Sequence, residues 1–451
     1  SEVSHIIFDL RREKNPCSMC AKMRRGALHN ALKEHGVTKI ALGHHFDDAV
    51  ETFFLSLFYE GRLSCFQPVT YLDRTGITQI RPLLYCGEGM LRNAAERNHL
   101  PVVFNPCPAD GNTKRQEIKE LIRALEPLRG QDIPLTVHMR QEGAGVCEAV
   151  EEMLTVARTL RIPLHISHLK AMGRDSWGKK IPRALDMLAQ ARQEGMDVSC
   201  DVYPYTAGST QLLHILPPEF LEGGMDAVVK RLRDPAARRE LAQRIDTGAG
   251  FDDIARLAGW DGIYLTSLHC PEDHPFLGKS LAQIAALMGQ DPLNCCCDLL
   301  VREDCQITMI DFMASEEDIA AILQSDLSNL ISDATYPTEG MPHPRVYGTF
   351  PRLIRHFVME KRVLSLEQAV RKMTALPARA LRLRGKGVLA PGMDADLCVF
   401  DPSQLRENGD YQHPCRMASG LDAVLVAGEP AVIHDTYTGV RAGTVIRRDS
   451  L

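Results

Sequence analysis

The feature that most constrains this 451-residue chain is the alternation of short apolar runs with helical stretches. Ile133–Val137, Pro163–His168 and Asp197–Tyr205 are strand-like, and helices running to about Leu160 and through Ala191 separate them. Leu327–Ile331 is another short buried run. Repeats of this kind dictate parallel pairing, because a parallel neighbour needs a crossover and a helix supplies it. The fold class read from this is α/β with a parallel sheet.

In a parallel barrel, reacting groups gather just past the carboxyl ends of the strands. Asp333 follows the run ending at Ile331, and a carboxylate there can ligate a metal or move a proton to a leaving amine. Twelve positions on, in Pro342-His343-Pro344-Arg345, Arg345 offers a fork of donors suited to a substrate carboxylate. A turn cap and a surface ion pair are the plain alternatives for either residue alone. His165 and His168 both lie near a strand end but are three residues apart, so at most one lines the barrel mouth. His138 ends the preceding strand.

The first part of the chain is different in kind. Cys17-Ser18-Met19-Cys20 opens a helix, and its spacing lets two thiolates share one metal or cluster. Cys107, in Asn105-Pro106-Cys107-Pro108, is a third candidate, and a redox pair or idle thiols is the alternative. Lys39–Thr52 reads as a strand running into a helix, with His44, Asp47 and Asp48 where imidazoles and carboxylates can organise magnesium and phosphate or simply cap the helix. Glu126–Asp132, short and punctuated by Pro and Gly, is the junction. The domains are thus 1–126, 127–385 and 386–451, the last from the alternating Gly387–Asp401 string and Val424–Gly428.

Composition is that of a globular protein, 45% hydrophobic and 24% charged. No run approaches the ~18–20 apolar residues of a bilayer span, and Ser1-Glu2-Val3-Ser4-His5 is no signal peptide, so the expectation is a cytoplasmic protein with no membrane partner. Fourteen cysteines then signify reduced thiols or metal ligands, with the consecutive Cys295-Cys296-Cys297 as buried filler. Residues 1–126 hold 17 Lys and Arg against 15 Asp and Glu, too weak a bias to argue nucleic-acid binding from charge.

Two resemblances refine this. The stretch from Ile331 to Arg352, with Ile166-Ser167-His168-Leu169-Lys170 and Asp201–Thr210, resembles the N-acyl-D-amino-acid deacylases (D-aminoacylases) of the amidohydrolase superfamily. The resemblance implies a partial TIM-like (β/α) barrel of five strands with a small β-sandwich; five strands cannot close a barrel, so two ladder edges need cover from another segment or from a second copy in a homo-oligomer. It implies a zinc enzyme that hydrolyses N-acyl-D-amino acids, with Asp333 as metal-site and proton-transfer residue, His168 as metal ligand and His138 as a further candidate. It makes Arg345 the loop arginine that binds the substrate carboxylate, and it puts Tyr203 at the substrate where some members have a second histidine. The family's His-x-His pair is missing from the sequence, so impaired activity is expected. Residues 5–126 resemble the C-terminal part of the TtcA-like tRNA 2-thiocytidine synthetases, a PP-loop class with a Rossmann-like α/β fold. That implies a 4Fe-4S cluster on Cys17, Cys20 and Cys107, an ATP-site remnant at His44, Asp47 and Asp48, and tRNA as partner. The family's Ser-Gly-Gly-x-Asp-Ser phosphate loop is absent, so ATP activation by this segment alone is not expected. Sulfur transfer and a non-catalytic chimeric remnant are the competing readings.

Overall fold

The computed structural model describes residues 16–44, 48, 67–72, 75–86, 88–98, 100, 121–247, 251–335 and 340–447. The chain divides into two compact units, Ser1–Pro127 and Leu128–Leu451. Asp47, Cys107 and the strands expected near 3–10 and 101–104 lie outside the described residues.

In the first unit a helix, Pro16–Glu34, begins on a proline whose missing N–H is no loss in the first turn and carries Lys33 in its last turn, where a cation suits the helix dipole. Cys17 and Cys20 stand in its opening turn. The strands β1 (Lys39–Ala41), β2 (Val69–Leu72) and β3 (Ile77–Ile80) form one sheet in the order β1-β3-β2. β1 and β3 run parallel, with Lys39 opposite Thr78, while β2 and β3 form a hairpin. Gly76 turns that hairpin at φ +65°, a conformation an L side chain resists. His44 lies three residues past the end of β1.

The second unit is built on a four-stranded parallel sheet. Its strands are β4 (Leu135–Val137), β5 (Leu164–Ile166), β6 (Val198–Val202) and, after three intervening strands, β10 (Ser328–Leu330), in the order β10-β6-β5-β4. The registers Thr136↔His165, His165↔Ser199 and Asn329↔Asp201 align the four carboxyl ends along one edge of the sheet. The crossover helix Val146–Leu160 buries Val150, Leu154, Ala157 and Leu160 at helical spacing and packs against β5 and the next crossover helix, Lys180–Gln193. Full burial of such side chains stabilises by roughly 1.5–3 kcal/mol each. Arg161 ends the first helix in the left-handed region and donates its N–H to the Ala157 carbonyl.

Three expectations need correction. The parallel sheet has four strands, not five: β7 (Ala207–Gln211), β8 (Ile263–Ser267) and β9 (Thr308–Phe312) pair antiparallel in a separate sheet ordered β7-β9-β8. The run Asp197–Tyr205 is not one strand, since β6 stops at Val202 and the chain re-enters extended structure at Ala207 in that second sheet. Arg345 is not in a loop but starts the helix Arg345–Arg352, where Pro344 supplies a helical φ of −59°. Cys295, Cys296 and Cys297 are all buried in the helix Pro292–Arg302. The helix Leu366–Met373 opens on a reciprocal capping box between Ser365 and Gln368, the Ser-x-x-Gln spacing that favours a helix start. At the C-terminus β11 (Leu397–Phe400), β12 (Leu421–Val426), β13 (Glu429–Ile433) and β14 (Thr436–Tyr437) form an antiparallel sheet in chain order.

Candidate active site

Each strand of the parallel sheet delivers a polar residue just beyond its carboxyl end. His138 follows β4, His168 stands two residues past β5, Tyr203 follows β6 and Asp333 lies three past β10. Two of these have backbones in the left-handed region, His168 at φ +39° and Asp333 at φ +49°. Such conformations cost of order 1–3 kcal/mol and persist only where the surroundings hold them.

What holds His168 is Asp201, a buried carboxylate on β6. The His168 backbone N–H donates to Asp201 Oδ1, and the Leu169 N–H donates to the Asp201 carbonyl at 2.8 Å. The second carboxylate oxygen sits 2.6 Å from His165 Nε2, whose other ring nitrogen is 2.7 Å from Ser199 Oγ. His165 therefore faces into the sheet as a structural partner, and His168 is the histidine at the mouth.

The His168 ring is fixed on both sides. Its Nε2 faces His138 Nδ1 at 2.9 Å. Its Nδ1 lies 2.9 Å from Glu142 Oε1 and 2.8 Å from Lys170 Nζ, and Lys170 is 2.6 Å from the same glutamate oxygen. Burial acts to raise the Glu142 carboxyl, but Lys170 and His168 outweigh it and hold it down at about 2. Burial also pushes the His138 imidazole below its ordinary value, so it stays neutral and able to donate a lone pair.

Opposite them, Arg345 is 4% exposed and pairs with Asp333, Nη1 to Oδ2, at 2.9 Å. Its guanidinium carbon lies 4.6 Å from the centroid of the Tyr203 ring, and Lys170 Nζ lies 6.0 Å from the same centroid. The buried Tyr203 ring thus adjoins both the arginine and the lysine beside His168, and the Asp333 charge is felt at His138. The Arg345 N–H donates to His343 Nδ1 at 3.0 Å, which leaves His343 Nε2 to donate to the Ala207 carbonyl at 3.0 Å. That is a neutral imidazole, in keeping with burial and the adjacent guanidinium pushing its pKa well down.

Asp311 stands on β9. It is 2% exposed, its Oδ1 has no hydrogen-bond partner, and burial pushes its carboxyl up to about 7 against the pull of Lys170 and Arg345. A Cβ at Gly208 would come within 2.8 Å of that oxygen and 2.3 Å of Met313 Cε, so a larger residue there would have to displace both side chains.

Among the described residues, His138, Glu142 and His168 offer ligand atoms within 4.8 Å of one another; Asp333 is not in this group, being paired to Arg345. Two imidazole nitrogens facing each other, one ring oriented by a carboxylate, are a donor set that fits a zinc-type ion. Glu142, Lys170, Asp201 and Asp311 were given no role from sequence; a carboxylate in the mostly buried β6 was the available signal for Asp201.

The profile of the Amidohydrolase family matches residues 87–432. The chain belongs to the amidohydrolase family. Within it, the chain is 32% identical over 334 residues to the D-aminoacylase of Alcaligenes xylosoxydans xylosoxydans, covering 74% of this chain and 59% of that protein. It is 34% identical over 316 residues to the N-acyl-D-glutamate deacylase of the same organism, covering 70% of this chain and 54% of that one. This amidohydrolase chain therefore spans less than three fifths of the curated deacylases it matches. A D-aminoacylase structure concerned with that enzyme's binuclear metal centre superposes with a TM-score of 0.59 at 30% identity, over 74% of this chain and 61% of that one. The N-acyl-D-glutamate deacylase from Bordetella bronchiseptica, complexed with zinc and a phosphonate inhibitor, gives 0.56 at 26% identity, over 88% and 80%. A PP-loop domain profile matches residues 6–125, and the tRNA-cytidine(32) 2-sulfurtransferase of Marinobacter nauticus is 45% identical over 132 residues, 27% of this chain and 44% of that one. The chain is thus an amidohydrolase fused to a PP-loop segment. No helix among the described residues is long and apolar enough to cross a membrane.

Proposed function

We propose that the second unit hydrolyses N-acyl-D-amino acids to a carboxylate and a free D-amino acid, using zinc held by His138 and His168. The observation that carries this reading is the pairing of Arg345 with Asp333 across Tyr203 from the two histidines. The zinc ion, when bound, would supply Lewis-acid chemistry at the amide.

The chain's own residues do the rest. Glu142 and Lys170 orient the His168 ring so that its Nε2 is the coordinating atom. The α-carboxylate of a substrate competes with Asp333 for the Arg345 fork, and Tyr203 keeps the guanidinium in place as the partner changes. Asp333, released from its pair, moves a proton from water to the leaving nitrogen. Substrate binding thereby arms the base, which ties turnover to substrates bearing a carboxylate. The assay is release of free amino acid from the D and L forms of N-acetylmethionine by zinc-loaded full chain. Slow turnover of the D form only is expected, since the His-x-His pair is missing; turnover of both alike, or of neither, rules the reading out.

For the first unit we propose a 4Fe-4S cluster on Cys17, Cys20 and Cys107, the sulfur-handling part of a tRNA-thiolating domain that does not activate ATP by itself. Its support is the 45% identity to a tRNA sulfurtransferase and the placement of the two N-terminal cysteines in one helical turn. His44, Asp47 and Asp48 would then flank the nucleotide. Anaerobic purification should give a brown protein whose visible absorbance disappears in Cys17→Ser; a colourless parent protein would exclude the cluster.

A further inference from the structure

Outside the pocket, a second set of ligand-type side chains converges. Cys270 lies just past β8, Asp273 sits in the short helical turn Pro271–Phe276 that follows, and Glu303 caps the end of the helix Pro292–Arg302. Their ligand atoms all lie within 4.8 Å of one another. Asp273 is 1% exposed and Glu303 3% exposed.

The hydrogen bonding is uneven. Glu303 is fully engaged, accepting the His269 N–H at 2.6 Å and the Cys270 N–H at 3.0 Å, so the backbone fixes it. Asp273 Oδ1 takes Arg302 Nη2 at 2.8 Å. Asp273 Oδ2, sealed from solvent, has no hydrogen-bond partner. Burial raises the Asp273 carboxyl against the pull of Arg302, and the neighbouring Glu303 charge raises it further. Two facing carboxyl groups need either a proton or a cation between them. Cys270 Sγ meanwhile donates only to the Arg302 carbonyl, at 3.3 Å. One guanidinium balances two buried acidic groups, and the thiol adds a soft donor at the partly exposed side.

We propose that Cys270, Asp273 and Glu303 form a second metal site, for a zinc-type divalent ion, that clamps the loop after β8 to the end of the helix Pro292–Arg302. A sulfur and two oxygens suit such an ion, with the fourth position open to solvent. Bonds of ~2.0–2.3 Å would draw the three ligand atoms to roughly 3.3–3.7 Å apart. Binding releases the thiol proton to solvent, and the Sγ contact to the Arg302 carbonyl is given up.

The paired histidines of the catalytic pocket have no cysteine beside them, which separates the two sites by spectroscopy. Full chain carrying Cys17→Ser and Cys20→Ser is titrated with Co2+, and the near-ultraviolet thiolate-to-cobalt charge-transfer band is followed. The band should appear in this parent and be lost when Cys270→Ser is added, with one fewer cobalt bound per chain. Asp273→Asn, which leaves shape and thiol intact, should weaken Co2+ binding at least tenfold, with folding verified by circular dichroism. A band unchanged by Cys270→Ser, no band at all, or unchanged affinity in Asp273→Asn would mean that the carboxyl groups simply share a proton.

Discussion

Arg345 and Asp333 face each other at 2.9 Å, the arginine buried and the aspartate a third exposed, with Tyr203 against the guanidinium. Asp333 is not among the ligand atoms that His138, Glu142 and His168 bring together. A substrate carboxylate that replaced Asp333 on Arg345 would use the same guanidinium fork.

Arg345→Ala should lower kcat/KM for an N-acyl-D-amino acid by roughly 30- to 150-fold, the ~2–3 kcal/mol of a charge-assisted hydrogen bond. The effect should fall mostly on KM. Arg345→Lys should restore little, because a point charge does not reproduce the fork. The corresponding N-acyl-D-amino-acid amide, which lacks the carboxylate, should discriminate little between the variants. Steady-state kinetics with both substrates checks this.

Asp333→Asn should reduce kcat by about 10²- to 10⁴-fold with KM nearly unchanged, the usual range for loss of a positioned proton carrier. Single-turnover measurements should place the loss in the chemical step.

Glu142→Gln should destabilise the second unit by roughly 3–5 kcal/mol at pH 7, since it leaves the Lys170 ammonium buried and unpaired. Glu142 is held at about 2 in the folded chain, below its ordinary value. Its contribution is thus present above the unfolded pKa of ~4.3 and lost as pH falls from there through the folded value. Urea melts should show the gap between parent and variant closing between pH 5 and pH 2, and Glu142→Gln combined with Lys170→Met should recover much of the loss at pH 7.

Asp311 behaves in the opposite sense. Its folded carboxyl titrates at about 7, so between there and the ~3.9 of an unfolded aspartate the unfolded chain has already lost the proton that the folded chain keeps. Rising pH in that window destabilises the fold. Asp311→Asn should therefore stabilise by ~2–4 kcal/mol at pH 8 and by almost nothing at pH 4, read from the same melts.

Much of the architecture was legible from periodicity. The strands ending at His138, before His168 and before Asp333 were recognisable because short apolar runs bounded by helices have few other uses. The capping box at Ser365 and Gln368 was equally visible, since it is local. The antiparallel sheet of β7, β8 and β9 was not, because its pairing joins residues about 50 to 100 positions apart and β7 reads as a continuation of β6. The same reason hid the electrostatics of the pocket. Asp311 reaches it only through that sheet, and Asp201 looks like any strand residue until the turn at His168 folds back onto it.

The account rests on the two imidazoles that face each other at 2.9 Å being the ligands of the catalytic ion. Crystals of the zinc-loaded chain, measured on both sides of the zinc absorption edge, address this directly. An anomalous-difference peak bridging His138 Nδ1 and His168 Nε2, absent in His168→Ala, is the expected result. Zinc-loaded crystals with no peak at that position would contradict the account.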